Sequence, residues 1–147
     1  MVENFEDLAI YQKSCELAKQ VYDITRKGEF KSDYRFVQQI RAAAGSVSDN
    51  IAEGFERQGN KEFINFLYIA KGSCGEVRSQ VTRAHNVGFI DDNTFSQMFV
   101  DCKKLSAGIL NMINSLKRST VTGTRYAQPT PLNSSNPSSP SNPLNQK

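Results

Sequence analysis

Proline is absent from the first 128 residues of this 147-residue chain, and all five prolines lie at or beyond Pro129. An interior proline removes a helical hydrogen-bond donor and clashes with the preceding turn, so its absence favours long uninterrupted helices. No apolar run approaches the roughly 18 residues of a membrane span. The N-terminus also lacks a basic start and an apolar signal core, so we expect a cytoplasmic protein with no membrane contact.

Residues that usually carry catalysis or metals are scarce. A di-iron bundle needs a Glu-x-x-His motif on two helices, but the chain has one histidine, His85, and Thr82 lies three residues before it. No zinc-ligand spacing, phosphate-binding glycine loop or nucleophile elbow occurs. We therefore expect no enzyme activity, catalytic residue, cofactor or metal. Cys15, Cys74 and Cys102 lie on the predicted apolar faces of three helices, which indicates buried free thiols.

The chain also lacks a large excess of either positive or negative charge. Eighteen basic residues face fifteen acidic ones, and all of the acids precede residue 120. Such a balance gives no general attraction for nucleic acid, although a local basic surface is compatible with it. A solvated helical surface is the default interpretation of these dispersed cations. The alternative is a phosphate-binding face, whose candidates are Lys71, Arg78 and Arg83.

The chain does contain four runs of apolar residues that step by three and four. Their mean spacing of about 3.5 residues is typical of a left-handed helix bundle. The links are short, which predicts an all-α, antiparallel up-down-up-down four-helix bundle over residues 1–120. We expect helices over about 4–27, 32–56, 60–87 and 92–118, the third being the longest. The runs are Leu8, Tyr11, Cys15, Ala18 and Tyr22; Val37, Ile40, Ala44, Val47 and Ile51; Phe63, Leu67, Ala70, Cys74, Val77, Val81 and Ala84; and Phe95, Met98, Cys102, Leu105, Ile109, Met112 and Leu116.

Small residues cluster in the middle of the second and third helices. Residues 42–46 read Ala-Ala-Ala-Gly-Ser, and residues 72–75 read Gly-Ser-Cys-Gly. Interior glycine costs a helix about 1 kcal/mol relative to alanine, and close approach of two backbones is the simplest compensation. We therefore expect the two helices to touch tightly along these stretches. The alternative is a ligand lying against the bare backbone.

A polar stripe runs beside the apolar face of the second helix and continues on the third. Interhelical hydrogen bonds and capping of the turn at 57–60 would account for it, with Glu53 and Arg57 as a favourable i,i+4 pair. The alternative is a polar surface between subunits or a binding surface. The candidate interaction residues are Gln39, Arg41, Ser46, Asn50, Glu53, Arg57, Glu62, Ser73 and Glu76.

The last part of the chain, residues 121–147, has a different composition. Pro, Ser and Asn supply fourteen of its final 21 residues. Such a segment buries too little apolar surface to offset its ordering entropy, so we expect a disordered tail. A solvated tail is the default, and partner binding through extended proline-rich stretches is the alternative.

Two stretches carry a family resemblance. Residues 39–54 include Gln-Ile-Arg-Ala-Ala and Ser-Val-Ser-Asp-Asn-Ile-Ala-Glu-Gly, and residues 62–76 follow the pattern Glu-Phe-Ile-x-Phe-Leu-x-Ile-Ala-x-Gly-Ser-x-x-Glu. These stretches resemble the four-helix bundle proteins first noticed in intervening sequences of bacterial 23S ribosomal RNA genes. The resemblance covers nearly all of residues 5–118. It departs at Ala42, where a second arginine is frequent, and at Tyr11, where tryptophan is common.

The resemblance implies a small cytoplasmic bundle that self-associates, in some members as a ring of five. One branch is similar to accessory proteins of diversity-generating retroelements, which are basic and associate with reverse transcriptase and nucleic acid. We therefore expect a non-catalytic homo-oligomer, with a pentamer as one form, that binds RNA, DNA or a nucleic-acid enzyme such as a reverse transcriptase. The alternative is an oligomeric protein-interaction module with no nucleic-acid role.

Overall fold

Four α-helices make up most of the computed structural model, which describes residues 2–57 and 59–122. These ranges contain no strand, so the predicted all-α fold is confirmed. The predicted tail lies outside the described residues, apart from its first two, which belong to the last helix. The helices are α1 (Ala9–Thr25), α2 (Tyr34–Glu56), α3 (Asn60–Asn86) and α4 (Asp92–Thr122), and single 3-10 turns at Phe5–Asp7 and Phe30–Ser32 precede α1 and α2.

Contacts between α3 and α4 join the end of α3 to the start of α4 and the start of α3 to the end of α4, and the Ser46–Ser73 contact joins the middles of α2 and α3. This arrangement fits the expected antiparallel up-down-up-down order, while the handedness of the bundle stays a prediction. Residues that contact across the helix pairs are Arg41 and Thr25 for α1 and α2, Ser46 and Ser73 for α2 and α3, His85 and Asp92 with Asn60 and Thr120 for α3 and α4, and Gln20 and Asp101 for α1 and α4.

The apolar faces predicted for α2, α3 and α4 point into the core. All seven predicted residues of α3 are buried, and α4 adds Ile113, which the pattern did not include. Val37, Phe95 and Met112 pack at the edge of the core. The 3.5-residue spacing therefore predicted the buried face correctly for these three helices.

The face predicted for α1 is wrong. Tyr11 is half-buried, while Cys15 and Tyr22 are exposed, so the expectation of three buried thiols fails at Cys15. The helix presents apolar residues on two sides, and the buried side contains two hydroxyl residues that lowered its apparent hydrophobicity. Both hydroxyls are satisfied within the helix, because Ser14 donates to the Tyr11 carbonyl and Thr25 to the Val21 carbonyl, each at 2.7 Å. The buried face is Ile10, Ser14, Leu17, Val21 and Thr25.

Several helix ends differ from the predicted bounds. The first α-helix begins at Ala9, because the 3-10 turn ends in the extended backbone of Leu8. Gly28 and Gly88 have positive φ angles beyond α1 and α3, as helix-ending glycines do. Asp33 and Asp91 cap α2 and α4, because each carboxylate accepts a hydrogen bond from the backbone amide of the third residue of its helix. The longest helix is α4, with 31 residues against 27 in α3.

The small-residue stretches of α2 and α3 do meet as predicted, through the hydroxyls of Ser46 and Ser73, but the expected close packing at their glycines is wrong. A Cβ atom placed on Gly45, Gly72 or Gly75 would meet no atom within 4 Å, so these glycines face open space. The close approach occurs instead at Gly54, where an added Cβ would lie 2.6 Å from Cβ of Phe66. Gly54 is buried in the last turn of α2, two residues before the helix ends. Helix ends and helix contacts both select glycine, and sequence alone does not separate the two causes.

Candidate functional site

The middle of the α2–α3 surface is a hydrogen-bonded cluster of three predicted residues. The hydroxyl oxygens of Ser46 and Ser73 lie 2.9 Å apart and connect the two helices. The side-chain amide of Asn50 donates to the Ser46 carbonyl at 2.7 Å and to the Ser46 hydroxyl at 2.9 Å. All three side chains are half-buried. Interhelical hydrogen bonding, the default interpretation of the polar stripe, therefore accounts for this part of it.

One end of the stripe is an ion-pair network around Arg57. Its guanidinium lies 2.9 Å from Glu53 and 3.5 Å from Glu62, and it stacks on the ring of Phe66 at 4.9 Å. The three charged side chains are about half exposed, so solvent weakens their attraction. This network fastens the turn between α2 and α3, which is the structural role that the i,i+4 pair predicted.

The other end of the stripe opens into a depression of about 520 Å³, here named the polar α2–α3 groove. Gln80, which was not among the candidate residues, is only 6% exposed, and its amide nitrogen lies 3.5 Å from Glu76. Its amide oxygen has no hydrogen-bond partner among the described residues. Arg83 stacks on the ring of Phe36 at 4.3 Å. The lining residues are Gln39, Ala42, Ala43, Ser46, Glu76, Ser79, Gln80 and Arg83.

Arg41 does not join the other candidate residues of the stripe. Its Nε donates to the Thr25 hydroxyl at 2.9 Å, and its guanidinium stacks on the Tyr22 ring at 4.2 Å. Both partners belong to α1, so Arg41 fastens α1 to α2 on another side of the bundle. The motif that contains Arg41 is continuous in sequence, but its side chains point to different faces of α2.

A second depression, of about 450 Å³, lies between α3 and α4 and is here named the cationic α3–α4 groove. Lys71 and Arg78 line it, and no carboxylate lies within 4.0 Å of either cation in the described residues. The guanidinium of Arg78 lies over the ring of Phe99, 5.6 Å from its centroid. The lining residues are Tyr68, Lys71, Gly72, Cys74, Gly75, Arg78, Cys102, Ser106 and Leu110.

The three predicted phosphate contacts are thus divided between two grooves. Seven residues separate Lys71 from Arg78, which returns the second to within about 20° of the first around the helix. Five residues separate Arg78 from Arg83, which turns the third cation by about 140° toward α2. Only Lys71 and Arg78 can contact one ligand together in this groove.

Two buried thiols meet at the floor of the cationic groove. Cys74 Sγ donates to the carbonyl oxygen of Cys102 at 3.3 Å. A hydrogen bond from the Cys102 thiol, together with the charges of Arg78 and Lys71, holds the pKa of Cys74 below its usual value although burial opposes this. The same bond and burial raise the pKa of Cys102. The apolar spacing of about 3.5 residues predicted that both cysteines lie in the core, but it did not indicate that they face each other.

The family assignment rests on a match that covers most of the chain. Residues 6–111 match the family described as 23S rRNA-intervening sequence protein. This protein belongs to that family. A crystal structure of a protein of unknown function from the S23 ribosomal protein family of Bacteroides thetaiotaomicron has the same fold, with a TM-score of 0.66 and 20% sequence identity. The similarity covers 71% of this chain and 95% of that one. No functionally curated protein matches the chain.

The single histidine of the chain lies in the last turn of α3. His85 stacks on Phe95 at 4.3 Å, and its Nε2 lies 2.7 Å from an Asp92 carboxylate oxygen. Within residues 2–57 and 59–122, no three His, Cys, Asp or Glu side chains are grouped so that they could hold a metal ion. Within the same described residues, no helix is long and apolar enough to cross a membrane.

Proposed function

We propose that this protein is a non-catalytic, self-associating cytoplasmic bundle that binds the phosphate backbone of RNA or DNA in the cationic α3–α4 groove. The observation that supports it is the pair Lys71 and Arg78, which share one face of α3 without a neighbouring carboxylate. Unpaired cations attract phosphates, and the release of condensed counterions drives such binding. The family resemblance is compatible with a nucleic-acid partner.

The dimensions of the groove suit a nucleic-acid strand. Seven residues of helix span about 10 Å, which is about three rises of 3.4 Å along one strand. Between the two cations, Gly72 and Gly75 leave space for a ligand to approach the α3 backbone. Tyr68 is 46% exposed at the rim, and Lys117 holds its hydroxyl at 2.7 Å. An ordered, exposed ring is a platform on which a base of a single strand can stack.

We expect neutralisation of the two groove cations to weaken binding to a single-stranded RNA or DNA 20-mer about tenfold or more. The change is the double substitution Lys71→Gln with Arg78→Gln, measured by fluorescence anisotropy across a salt series. Each lost phosphate contact lowers the salt slope by about one, so the double variant should lose about two.

The matched control removes the same charge elsewhere. Lys31 and Arg35 are both exposed, outside the groove, so Lys31→Gln with Arg35→Gln should keep the affinity within about twofold. Equal losses in both variants would show that only net charge matters. An affinity that does not change with salt concentration, or no binding at low salt, would contradict the proposal. The function would then be that of a protein-interaction module.

Self-association is supported by the polar α2–α3 groove. Glu76 and Arg83 line it seven residues apart, and neither has an opposite charge within 4.0 Å in the described part of the chain. A second copy can supply both missing charges, because every copy carries one acid and one base on this surface.

We expect light scattering at micromolar concentration to give a mass above the 16.4 kDa of one chain. Glu76→Arg should shift the protein toward the monomer, because it places two cations in one groove. The matched control is Glu29→Arg, an equal charge change at an exposed loop position, which should leave the mass unchanged. A wild-type protein that scatters only as the monomer would contradict self-association.

A further inference from the structure

A pair of buried cysteines on facing helices is the feature that the proposed function does not use. Cys74 and Cys102 come from two different helices and are 0% and 1% exposed, with Cys74 Sγ 3.3 Å from the Cys102 carbonyl oxygen. The third cysteine, Cys15, is exposed on α1. We propose that Cys74 and Cys102 form an oxidisable dithiol site, which a hydroperoxide converts into a disulfide between α3 and α4.

The groove gives a small oxidant a route to this pair. Both cysteines line the depression of about 450 Å³, which gives a small oxidant a path toward them between α3 and α4. Gly75 lies next to Cys74 in sequence, and a side chain there would have occupied open space above the α3 backbone. Hydrogen peroxide is little larger than water, whereas larger thiol reagents need a wider opening.

The surroundings of the two sulfur atoms assign them different roles. A hydrogen bond from the Cys102 thiol, together with the charges of Arg78 and Lys71, lowers the pKa of Cys74 although burial opposes this. The same hydrogen bond, together with burial, raises the pKa of the Cys102 thiol and so favours its protonated form. A thiolate beside cations is the reactive form of cysteine, and a second thiol in contact resolves the oxidised product.

The reaction consumes one peroxide and two thiols. The Cys74 thiol loses its proton, its thiolate attacks one peroxide oxygen, and the O–O bond breaks; Cys74 becomes a sulfenic acid, and the departing hydroxide takes up that proton as the first water. The Cys102 sulfur then attacks the sulfenic sulfur, the S–O bond breaks, and the proton of the Cys102 thiol leaves with the hydroxide as water. The two thiols give up two electrons, the peroxide accepts them, and the products are one disulfide and two waters.

The test treats the reduced, full-length protein with a slight excess of hydrogen peroxide and measures its intact mass. We expect a loss of about 2 Da, because disulfide formation removes two hydrogens. Non-reducing peptide mapping should then join the peptides that contain Cys74 and Cys102. Cys15→Ser should behave like the wild type, which separates this reaction from oxidation at the exposed thiol.

Three further variants assign the roles. Cys102→Ser should stop at a sulfenic acid on Cys74 that dimedone traps, and Cys74→Ser should form neither product at this site. Lys71→Gln with Arg78→Gln should slow disulfide formation severalfold while Cys15 oxidises at its usual rate. A wild-type protein that oxidises only at Cys15, or that carries Cys74 to a sulfinic acid without a disulfide, would overturn the proposal. These outcomes do not depend on whether the groove binds nucleic acid.

Discussion

Phe30→Ala will destabilise the bundle by about 3–5 kcal/mol, the usual cost of removing a large buried aromatic side chain. Phe30 lies in the short 3-10 turn before α2 and is 0% exposed. Its ring centroid lies 4.8 Å from that of Phe36 and 5.0 Å from that of Phe89. The cluster joins the α1–α2 connection to the residues that follow α3, so its loss leaves a cavity at one end of the core.

Urea unfolding followed by circular dichroism measures this effect. Tyr34→Ala is the matched control, because Tyr34 is an aromatic residue four positions later that is 76% exposed. We expect the control to change the free energy of unfolding by less than about 0.5 kcal/mol. Similar midpoints for Phe30→Ala and the wild type would show that the turn does not contribute to the core.

Gly54→Ala will destabilise the protein by about 1–3 kcal/mol, although alanine is the better helix former. The added Cβ would lie 2.6 Å from Cβ of Phe66 and 3.1 Å from a ring carbon of Phe63. Cβ of Phe66 cannot rotate away, since its position is fixed by the α3 backbone. The two helices must therefore separate near the turn that connects them.

The matched control is Gly72→Ala, which tests the same substitution in the neighbouring helix. Gly72 is exposed, and an added Cβ there meets no atom within 4 Å. Its replacement should stabilise the protein by several tenths of a kcal/mol to about 1 kcal/mol, because it relieves the helix penalty of glycine. The two variants should differ in sign in urea titrations. If Gly54→Ala unfolds at higher urea than the wild type, the close approach of α2 to α3 is wrong.

The buried face was predicted correctly for α3 and wrongly for α1. The apolar positions predicted for α3, from Phe63 to Ala84, are all buried, although Tyr68 and Ile69 of the same helix are exposed. Apolar residues of α1 lie on two sides, and the buried side includes Ser14 and Thr25. A hydroxyl that bonds its own helix costs little to bury, and a sequence pattern does not register that bond.

The candidate residues were predicted as one polar stripe and one set of cations, and the structure distributes both over several surfaces. Ser46, Asn50 and Ser73 meet, but Arg41 contacts α1 instead. Arg83 faces α2, whereas Lys71 faces α4. A sequence motif lists neighbours along the chain, while a binding surface requires neighbours around the helix, and each residue turns the helix by about 100°.

The sequence by itself determined the all-α class, the four helices and the buried faces of three of them. These follow from local causes: the period of the apolar residues, the missing prolines and the acidic caps. Only the tertiary structure decided which glycine lies in a helix contact and which two thiols meet. Those depend on the depth and rotation at which α2 and α4 pack against α3, and many side chains of distant sequence position set that geometry together.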